Sequence, residues 1–249
     1  IAHELAKKSY NLMLVSNQQE NLKSSEQELT STYGVKCQIF NIDLTDQTSA
    51  LEVFEICERH DIVVDILINN AGMLHMSEVA ESNSEALSKI VQLHIHTPTL
   101  LCQLFGAQMK SRKDGCIMNV SSISSVMPYP GISLYGPSKT YLRYFTRAFR
   151  TEMRPYKVNV SCLIPGATIT ALYDLSNVNV GLAKNLGVMH SPQFVARKAV
   201  KGMMRNQAVI TPGILNKLIL VLMPQIPLWV IDLLNRKMNF STKSQLLGK

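Results

Sequence analysis

The sequence predicts an α/β fold built around a doubly wound parallel sheet. Short apolar runs alternate with longer segments that carry apolar residues at helical spacing, and this alternation is typical of parallel strands joined by right-handed helical crossovers. Helices should therefore cover both faces of the sheet. The chain has 249 residues, of which 46% are hydrophobic and 17% are charged. A chain of this length and composition is predicted to form one domain over residues 1–249.

The elements follow in order along the chain. Residues 1–9 carry apolar residues at helical spacing and should lie within a helix. The strands are predicted near residues 10–16, 35–41, 64–69, 115–121, 158–164 and 208–211. The other helices are predicted near residues 18–32, 46–60, 84–111, 134–155 and 192–205. Gly34 suits a left-handed cap after a helix, and the stretch 167–190 has no strong period, which is typical of a functional irregular segment.

The formal charge of +7 is concentrated at the carboxyl end. Residues 197–249 hold nine basic residues and one acid, Asp232, and so carry +8, which leaves −1 on residues 1–196. The apolar and basic segment 212–240 could contact an anionic membrane peripherally through residues 214–237, or cap a lipophilic pocket. Core or subunit packing remains the alternative. Its apolar run is far shorter than the roughly 20 residues of a membrane span.

Composition excludes one class of partner and indicates a cellular compartment. The basic residues are not interleaved with stacking aromatic residues, so no nucleic-acid partner is predicted. Five cysteines, an odd number without close pairing, indicate reduced thiols in a cytoplasmic protein. The expected partners are a small-molecule substrate and further copies of the same chain in a homo-oligomer.

Three polar residues suggest proton chemistry. Tyr135 and Lys139 are four residues apart in a predicted helix and should share a face, so that the lysine charge favours the ionised phenol. Ser122 lies thirteen residues before the tyrosine, at the end of the predicted strand 115–121. Strand ends are where α/β sheets place their ligand chemistry. A Tyr-x-x-x-Lys pattern alone is common, and further motifs are needed to give it meaning.

Those further motifs occur in a consistent order. Asn69-Asn70-Ala71-Gly72 follows a predicted strand, and Asp43 follows another. Pro165-Gly166, with Thr170 downstream, follows a third strand. Together with the serine, tyrosine and lysine, these motifs make the chain resemble the short-chain dehydrogenase/reductase family over nearly its whole length. The resemblance implies a Rossmann-like three-layer sandwich that binds a nicotinamide cofactor.

The resemblance also implies roles for single residues. Tyr135 would be the acid, Ser122 the hydrogen-bond donor to the substrate oxygen, and Lys139 both the charge beside the tyrosine and the ligand of the nicotinamide ribose. The remaining cofactor-binding positions would be Asp43 at the adenine, Asn69, Ala71 and Gly72 along the cofactor, and Pro165, Gly166 and Thr170 at the nicotinamide.

The fourth catalytic position of the family is an asparagine that holds a water in the proton relay, and here it falls on His94. A histidine could bridge that water, and it would then titrate near pH 6.5. For His94, a role in packing alone is an alternative of equal weight to holding the water. For His96, packing alone is the favoured role. The two histidines are two residues apart on a helix, and no metal site is predicted for them.

The family's first strand and its Gly-x-x-x-Gly-x-Gly loop have no counterpart in the sequence. Ile1 should already lie within the first helix, so we expect an N-terminally incomplete record of such an enzyme. In strand order 3-2-1-4-5-6 the first strand is central, and its absence should leave a gap between the next two strands of the sheet.

The predicted function is hydride transfer between a nicotinamide and a carbonyl or secondary alcohol. Val15-Ser16-Asn17-Gln18 contains no acid for a ribose diol, which favours NADP(H) over NAD(H). A lipophilic substrate is expected because six apolar residues should line the pocket. These six are Met73, Leu74, Met76, Val126, Met127 and Leu172. The segment around Tyr135 also resembles family members that reduce 3-oxoacyl chains or hydroxysteroids, and this resemblance implies a substrate of that kind. The alternative is a non-catalytic dinucleotide-binding or membrane-surface module that retains the scaffold.

Overall fold

The structure, a computed structural model, describes residues 1–127, 130–169 and 189–237. Its strands are β1 (Leu12–Ser16), β2 (Cys37–Asn41), β3 (Ile66–Asn69), β4 (Gly115–Val120), β5 (Val158–Leu163), β6 (Ala167–Thr168), β7 (Met189–His190) and β8 (Val209–Ile210). Its α-helices are α1 (Ala2–Ala6), α2 (Gln19–Tyr33), α3 (Ser49–Arg59), α4 (Ser84–Val91), α5 (Thr97–Arg112), α6 (Tyr135–Met153), α7 (Pro192–Met204), α8 (Ile214–Leu222) and α9 (Leu228–Lys237). The predicted alternation of strand and helix is confirmed.

All strand pairs are parallel. The main sheet has the order β3-β4-β5-β8, with Ile66 opposite Cys116 in the first pair and Cys116 opposite Asn159 in the second. β1 and β2 form a separate pair. Helices cover both faces: α1 and α7 pack through Leu5 and Met203 on one face, whereas α5 packs through Phe105 and Met109 on the other. The doubly wound α/β sandwich is therefore confirmed.

A cleft separates β1 from β3. Its volume is about 1390 Å³, and it is lined by Leu12 and Leu14 of β1 and by Ile66 and Ile68 of β3. Within the described ranges, no strand lies between the two sheets. The structure thus has a gap at the place where the order 3-2-1-4-5-6 would have its central strand, as expected from the sequence.

The long helix predicted over residues 84–111 is divided. α4 ends at Val91, a single π-turn spans Gln92–His96, and α5 begins at Thr97. Pro98 provides the physical reason, because a proline has no backbone N–H to donate to the carbonyl of residue 94. The amide of Thr97 instead donates to the Gln92 carbonyl, five residues earlier.

Smaller differences lie at the ends of elements. The helix predicted over 46–60 begins only at Ser49, and the strand predicted over 208–211 is reduced to Val209–Ile210. The irregular stretch 167–190 begins and ends with the short parallel pair β6 and β7, which the sequence pattern did not predict. Gly34 has a φ of 67° and caps α2 in the left-handed conformation, as predicted.

Candidate active site

The tyrosine and lysine lie at the start of α6. Tyr135 is the first residue of the helix, and both side chains are buried, with 5% of Tyr135 and 4% of Lys139 exposed. The Lys139 Nζ atom is 5.8 Å from the centre of the Tyr135 ring. Because the two residues are four apart on the helix, one turn separates them and their side chains share a face. The structure therefore brings this predicted pair together.

Lys139 is held by the backbone of the neighbouring strand. Its Nζ atom donates to the Val120 carbonyl at 3.1 Å, at the end of β4. Burial lowers the pKa of Lys139 to about 8, because a low-dielectric site disfavours the charged form. The ammonium is still the main form at pH 7, and it supplies a positive charge close to the Tyr135 phenol.

Ser122 follows the end of β4 and caps a short 3-10 helix, Ile123–Val126. Its Oγ atom accepts from the backbone N–H of Ser124 at 3.2 Å. This 3-10 helix packs against α6. The preceding residue, Ser121, donates from its hydroxyl to the Lys139 carbonyl at 2.7 Å and so joins the strand end to the helix.

His94 lies at the centre of the π-turn and is completely buried. Its ring is 5.6 Å from the Tyr135 ring in an edge-on arrangement, and both of its nitrogens have hydrogen-bond partners. Burial and then the nearby charge of Lys139 lower the pKa of His94 to about 3. The expectation that His94 titrates near pH 6.5 is therefore wrong, because the sequence alone does not reveal its desolvation.

His96, in contrast, is exposed and its Nδ1 atom lies 2.9 Å from the Gln92 amide nitrogen. Among the described residues, no group of three or more His, Cys, Asp or Glu side chains is arranged to hold a metal ion.

Asp43 lines the cleft and is held by two neighbours. Its carboxylate accepts from the Thr45 backbone N–H at 2.9 Å and from the Asn17 amide at 3.2 Å. The Thr45 hydrogen bonds are the main cause that lowers the pKa of Asp43. Asp43 and Asn17 both line the cleft, as does Lys89.

The Asn-Asn-Ala-Gly segment has two separate uses. Asn69 donates to the Asn119 side chain at 2.8 Å, and Asn119 donates to Thr146 at 3.0 Å, so Asn69 joins β3, β4 and α6. Ala71 and Gly72 line the cleft. A Cβ atom on Gly72 would be 3.2 Å from His94 Nε2 and 3.3 Å from Lys139 Nζ. Glycine therefore allows the close approach of two predicted site residues.

The Pro-Gly segment contacts the other side of the site. The Pro165 carbonyl accepts from the Ile123 backbone N–H at 2.9 Å, next to Ser122. Gly166 lies against Asn216 of α8, since an added Cβ would be 2.3 Å from the Asn216 Oδ1 atom. Thr170 and Leu172 lie outside the described residues.

Two residues of this region were missed by the sequence analysis. Ser138 hydrogen-bonds to His94 and to the Tyr135 carbonyl, and its position between the tyrosine and the lysine could have indicated it. Asn216 is buried with 2% exposure in a helix that is apolar apart from Asn216 and Lys217, and it donates to the Pro212 carbonyl. A lone amide in an apolar run was the available signal.

The residues around the cleft fit parts of a dinucleotide. Asn17 and Asp43 offer polar groups to the cleft, which is also lined by Gly72 where this glycine lies against Lys139. In the described part of the chain, no glycine-rich turn faces the middle of the cleft, where backbone N–H groups would bind a pyrophosphate. The polar groups of Asn17 and Asp43 therefore suit an adenosine better than the middle of the cleft suits a pyrophosphate.

A parallel sandwich with a buried Tyr-x-x-x-Lys pair at a strand end defines a class of dinucleotide-dependent oxidoreductases. The short chain dehydrogenase family matches residues 1–179, and the chain belongs to this family.

The chain is similar to curated proteins of this class. It is 31% identical over 177 residues to a very-long-chain 3-oxoacyl-CoA reductase of Pyrenophora tritici-repentis, covering 69% of this chain and 51% of the relative. It is 29% identical to human 17-beta-hydroxysteroid dehydrogenase type 3, over 71% of this chain and 57% of the relative. It is also 29% identical to human inactive hydroxysteroid dehydrogenase-like protein 1, over 80% and 60%. The chain thus spans about half the length of the curated relatives it matches.

Solved structures share the fold. A short-chain dehydrogenase from Sphingobium yanoikuyae in complex with NADPH superposes with a TM-score of 0.76 at 24% identity, covering 84% of this chain and 81% of that chain. A 7beta-hydroxysteroid dehydrogenase superposes with a TM-score of 0.80 at 21% identity, covering 88% and 84%.

Proposed function

We propose that the protein is an NAD(P)-dependent oxidoreductase that transfers a hydride between a nicotinamide and a carbonyl or secondary alcohol. The observation that carries this proposal is the buried Tyr135–Lys139 pair at the start of α6, beside the end of β4 and Ser122. Buried phenol and ammonium groups at the end of a parallel strand have the chemistry that carbonyl reduction requires.

The three side chains have separate tasks. When bound, the cofactor supplies the hydride. Tyr135 donates a proton to the substrate oxygen on which negative charge develops, and the Lys139 ammonium lowers the energy of the resulting phenolate. Ser122 accepts from Ser124 N–H, which leaves its own hydroxyl hydrogen for the same substrate oxygen.

NADP(H) is the preferred cofactor in this proposal. No acid occurs at the end of β1, where a carboxylate would bind a ribose diol, and Asn17 is occupied with Asp43. Lys89 lines the same cleft, and its exposed ion pair with Glu85 at 2.7 Å could be exchanged for one with a phosphate. The NADPH bound to the Sphingobium relative also supports the choice. Titration with NADPH and NADH, followed by nicotinamide fluorescence, should give tighter binding of NADPH.

The substrate is expected to be lipophilic. Met73 and Met127 are half-buried beside the site, and methionines adapt to flexible apolar ligands. The names of the curated relatives refer to 3-oxoacyl-CoA and to hydroxysteroids. Substrate panels should therefore contain 3-oxoacyl thioesters, steroids and small aldehydes.

The deciding experiment replaces Tyr135 with Phe. Loss of the acid is expected to lower turnover about 100- to 10,000-fold with little change in NADPH affinity. Tyr144→Phe is the matched control, because Tyr144 is on the same helix but is 60% exposed. Parental turnover in Tyr135→Phe would exclude the assigned role.

A non-catalytic dinucleotide-binding module is the second candidate. It is favoured by the relative that is named inactive. The same assay separates the two, because this candidate predicts NADPH binding without turnover by the parent chain on any substrate of the panel.

We further propose a peripheral membrane contact through α8, within the segment 214–237. Its outward face carries exposed apolar residues next to Lys217, while the polar Asn216 faces the protein. The apolar residues of this face are Ile214, Leu218, Val221 and Leu222. This arrangement suits an anionic membrane surface. Over the described residues, no helix is long and apolar enough to cross a membrane.

Vesicle flotation tests this contact. Phosphatidylcholine vesicles that contain phosphatidylserine should recover more parent protein than Val221→Glu. Val63→Glu is the control, since Val63 is equally exposed at 66% but lies outside α8. Equal recovery of the two variants would exclude the contact.

A homo-oligomer is proposed through α6. Tyr141, Phe145 and Phe149 stack along one face of this helix with ring centres 5.7 and 5.5 Å apart, and Tyr144 is exposed nearby. A partly exposed aromatic ladder suits a subunit interface. Light scattering on the parent chain and on Tyr141→Glu should give a smaller particle for the variant.

The cysteines, all free in the structure, support the proposed cytoplasmic location.

A further inference from the structure

His94 joins two parts of the candidate active site that come from distant points of the sequence. Its Nε2 atom lies 3.1 Å from the backbone nitrogen of Met73, in the loop that follows β3. Its Nδ1 atom lies 2.9 Å from the hydroxyl of Ser138, in the first turn of α6. No part of the ring is accessible to solvent.

The direction of these hydrogen bonds determines where the histidine proton is. The backbone N–H of Met73 can only donate, so Nε2 must accept and carries no proton. A neutral imidazole then has its proton on Nδ1 and donates it to the Ser138 oxygen. The Ser138 hydroxyl in turn donates to the Tyr135 carbonyl at 2.8 Å. One tautomer satisfies all three bonds.

The protonated form does not fit the same surroundings. A proton on Nε2 would face the Met73 N–H, so two donors would oppose each other. The Lys139 ammonium is also near Nε2, because a single Cβ atom added to Gly72 would lie 3.2 Å from Nε2 and 3.3 Å from Lys139 Nζ. Tyr135 and Lys139 are the titratable groups next to the ring, and both belong to α6.

We propose that His94 is a positioning residue that, as the neutral Nδ1–H tautomer, couples the loop carrying Gly72 and Met73 to the helix turn carrying Tyr135. Because both of its nitrogens are occupied within the protein, His94 does not carry protons to or from solvent. It instead fixes the acid relative to the loop that borders the cofactor cleft. This role rests on the proposed function, because the coupling would fix the distance between the cofactor and the acid, Tyr135.

The tautomer can be measured without turnover. Nitrogen-15 NMR of histidine side chains in the parent protein should give one His94 ring nitrogen bound to hydrogen, Nδ1, and one acceptor nitrogen, Nε2. His94→Phe identifies the signals by their loss. The pattern should be unchanged between pH 8 and about 5, whereas an exposed histidine changes with a midpoint near 6.5. A proton on Nε2, or titration of His94 in that range, would overturn the proposal.

Kinetics separate positioning from packing. His94→Phe keeps the ring volume but removes both hydrogen bonds, and kcat should fall about 10- to 100-fold with little change in KM. His94→Asn, which can still accept from Met73, should recover part of this loss. His96→Phe is the control in the same π-turn and should keep parental kcat. Parental kcat in a folded His94→Phe protein would overturn the coupling.

Ser138→Ala removes one half of the coupling. If the two residues act together, the double variant with His94→Phe should be no slower than His94→Phe alone. Fully multiplicative losses would overturn the coupling. A parent chain without turnover would reject the proposed function, while the NMR measurement would still decide the tautomer.

Discussion

Two nitrogen bases lie side by side at the candidate site, and burial weakens the proton affinity of both. The pKa of Lys139 falls to about 8 and that of His94 to about 3. At pH 7 the lysine therefore keeps its charge, while the histidine is neutral. A single cation, Lys139, beside the Tyr135 phenol favours the ionised phenolate. A charged His94 would add a second cation and repel the first.

The neutral His94 makes stability depend on pH. Its pKa is near 6.5 in the unfolded chain and about 3 in the folded protein, so the stabilisation is complete above pH 6.5 and is lost as pH falls towards 3. The loss between pH 6.5 and pH 4 should be on the order of 3 kcal/mol. Urea unfolding of the parent and of His94→Phe at several pH values measures it.

The parent should lose more stability than His94→Phe over this range. Lys139 does not interfere, because its pKa changes from 10.5 in the unfolded chain to about 8 in the folded protein, so it makes stability depend on pH only in the alkaline range. Parallel pH profiles for both proteins would show that His94 is not buried as a neutral base.

Gly72 is expected to be intolerant of even one carbon atom. In Gly72→Ala the new methyl group would press on His94 Nε2 and Lys139 Nζ at 3.2 and 3.3 Å. Both groups must move by a few tenths of an ångström, and displacement of catalytic groups can cost up to about 100-fold in rate. Turnover should therefore fall more than the melting temperature does. Unchanged turnover at a normal melting temperature would contradict this contact.

At the scale of elements, α8 is attached to the candidate site by Asn216. The side chain of Asn216 fills the space where a Gly166 Cβ would be, at 2.3 Å from that position. We expect Gly166→Ala to destabilise the protein by about 1–3 kcal/mol, the usual cost of overpacking. The glycine has no positive φ, so steric contact alone is responsible. Thermal unfolding measures the change.

A second substitution tests the cause. Asn216→Ala removes the atoms in contact, so Gly166→Ala should cost less in the Asn216→Ala background than in the parent. An equal loss of stability in both backgrounds would show that Asn216 does not contact Gly166.

The accuracy of the sequence predictions differs among elements for physical reasons. β4 and β5 agree with prediction within one residue, because a buried parallel strand is a continuous apolar run. The interruption at Gln92–His96 was missed, although Pro98 indicates it, because helical periodicity alone continues through the turn. The bonds from His94 to Met73 and Ser138 join residues 21 and 44 positions apart, which no local pattern specifies.

At the scale of the molecule, the cleft divides the sheet into two parts that helices hold together. α3 packs on α5 across the gap, through Val53 and Phe105. Backbone amides of parallel strands point alternately to the two sides, so every second amide of β1 and β3 faces the cleft. These amides have no strand partner among the described residues.

The rates of amide hydrogen exchange should therefore differ among the strands. The amides of β4, which is paired on both sides, should exchange slowest, while the cleft-facing amides of β1 and β3 exchange faster. Uniform protection would mean that the cleft is closed in solution.

The π-turn at Gln92–His96 also determines how far α4 is rotated about the helix axis relative to α5. It contains one residue more than a turn of α-helix, and each residue of an α-helix contributes about 100° of rotation. Deletion of Ile95 should leave α5 in place, because Leu101, Phe105 and Met109 anchor it in the core. α4 and His94 would then rotate by about 100° away from Ser138. The variant should fold but lose the His94 Nδ1–H signal, so the length of this turn, as much as the identity of residue 94, determines which side chain reaches α6.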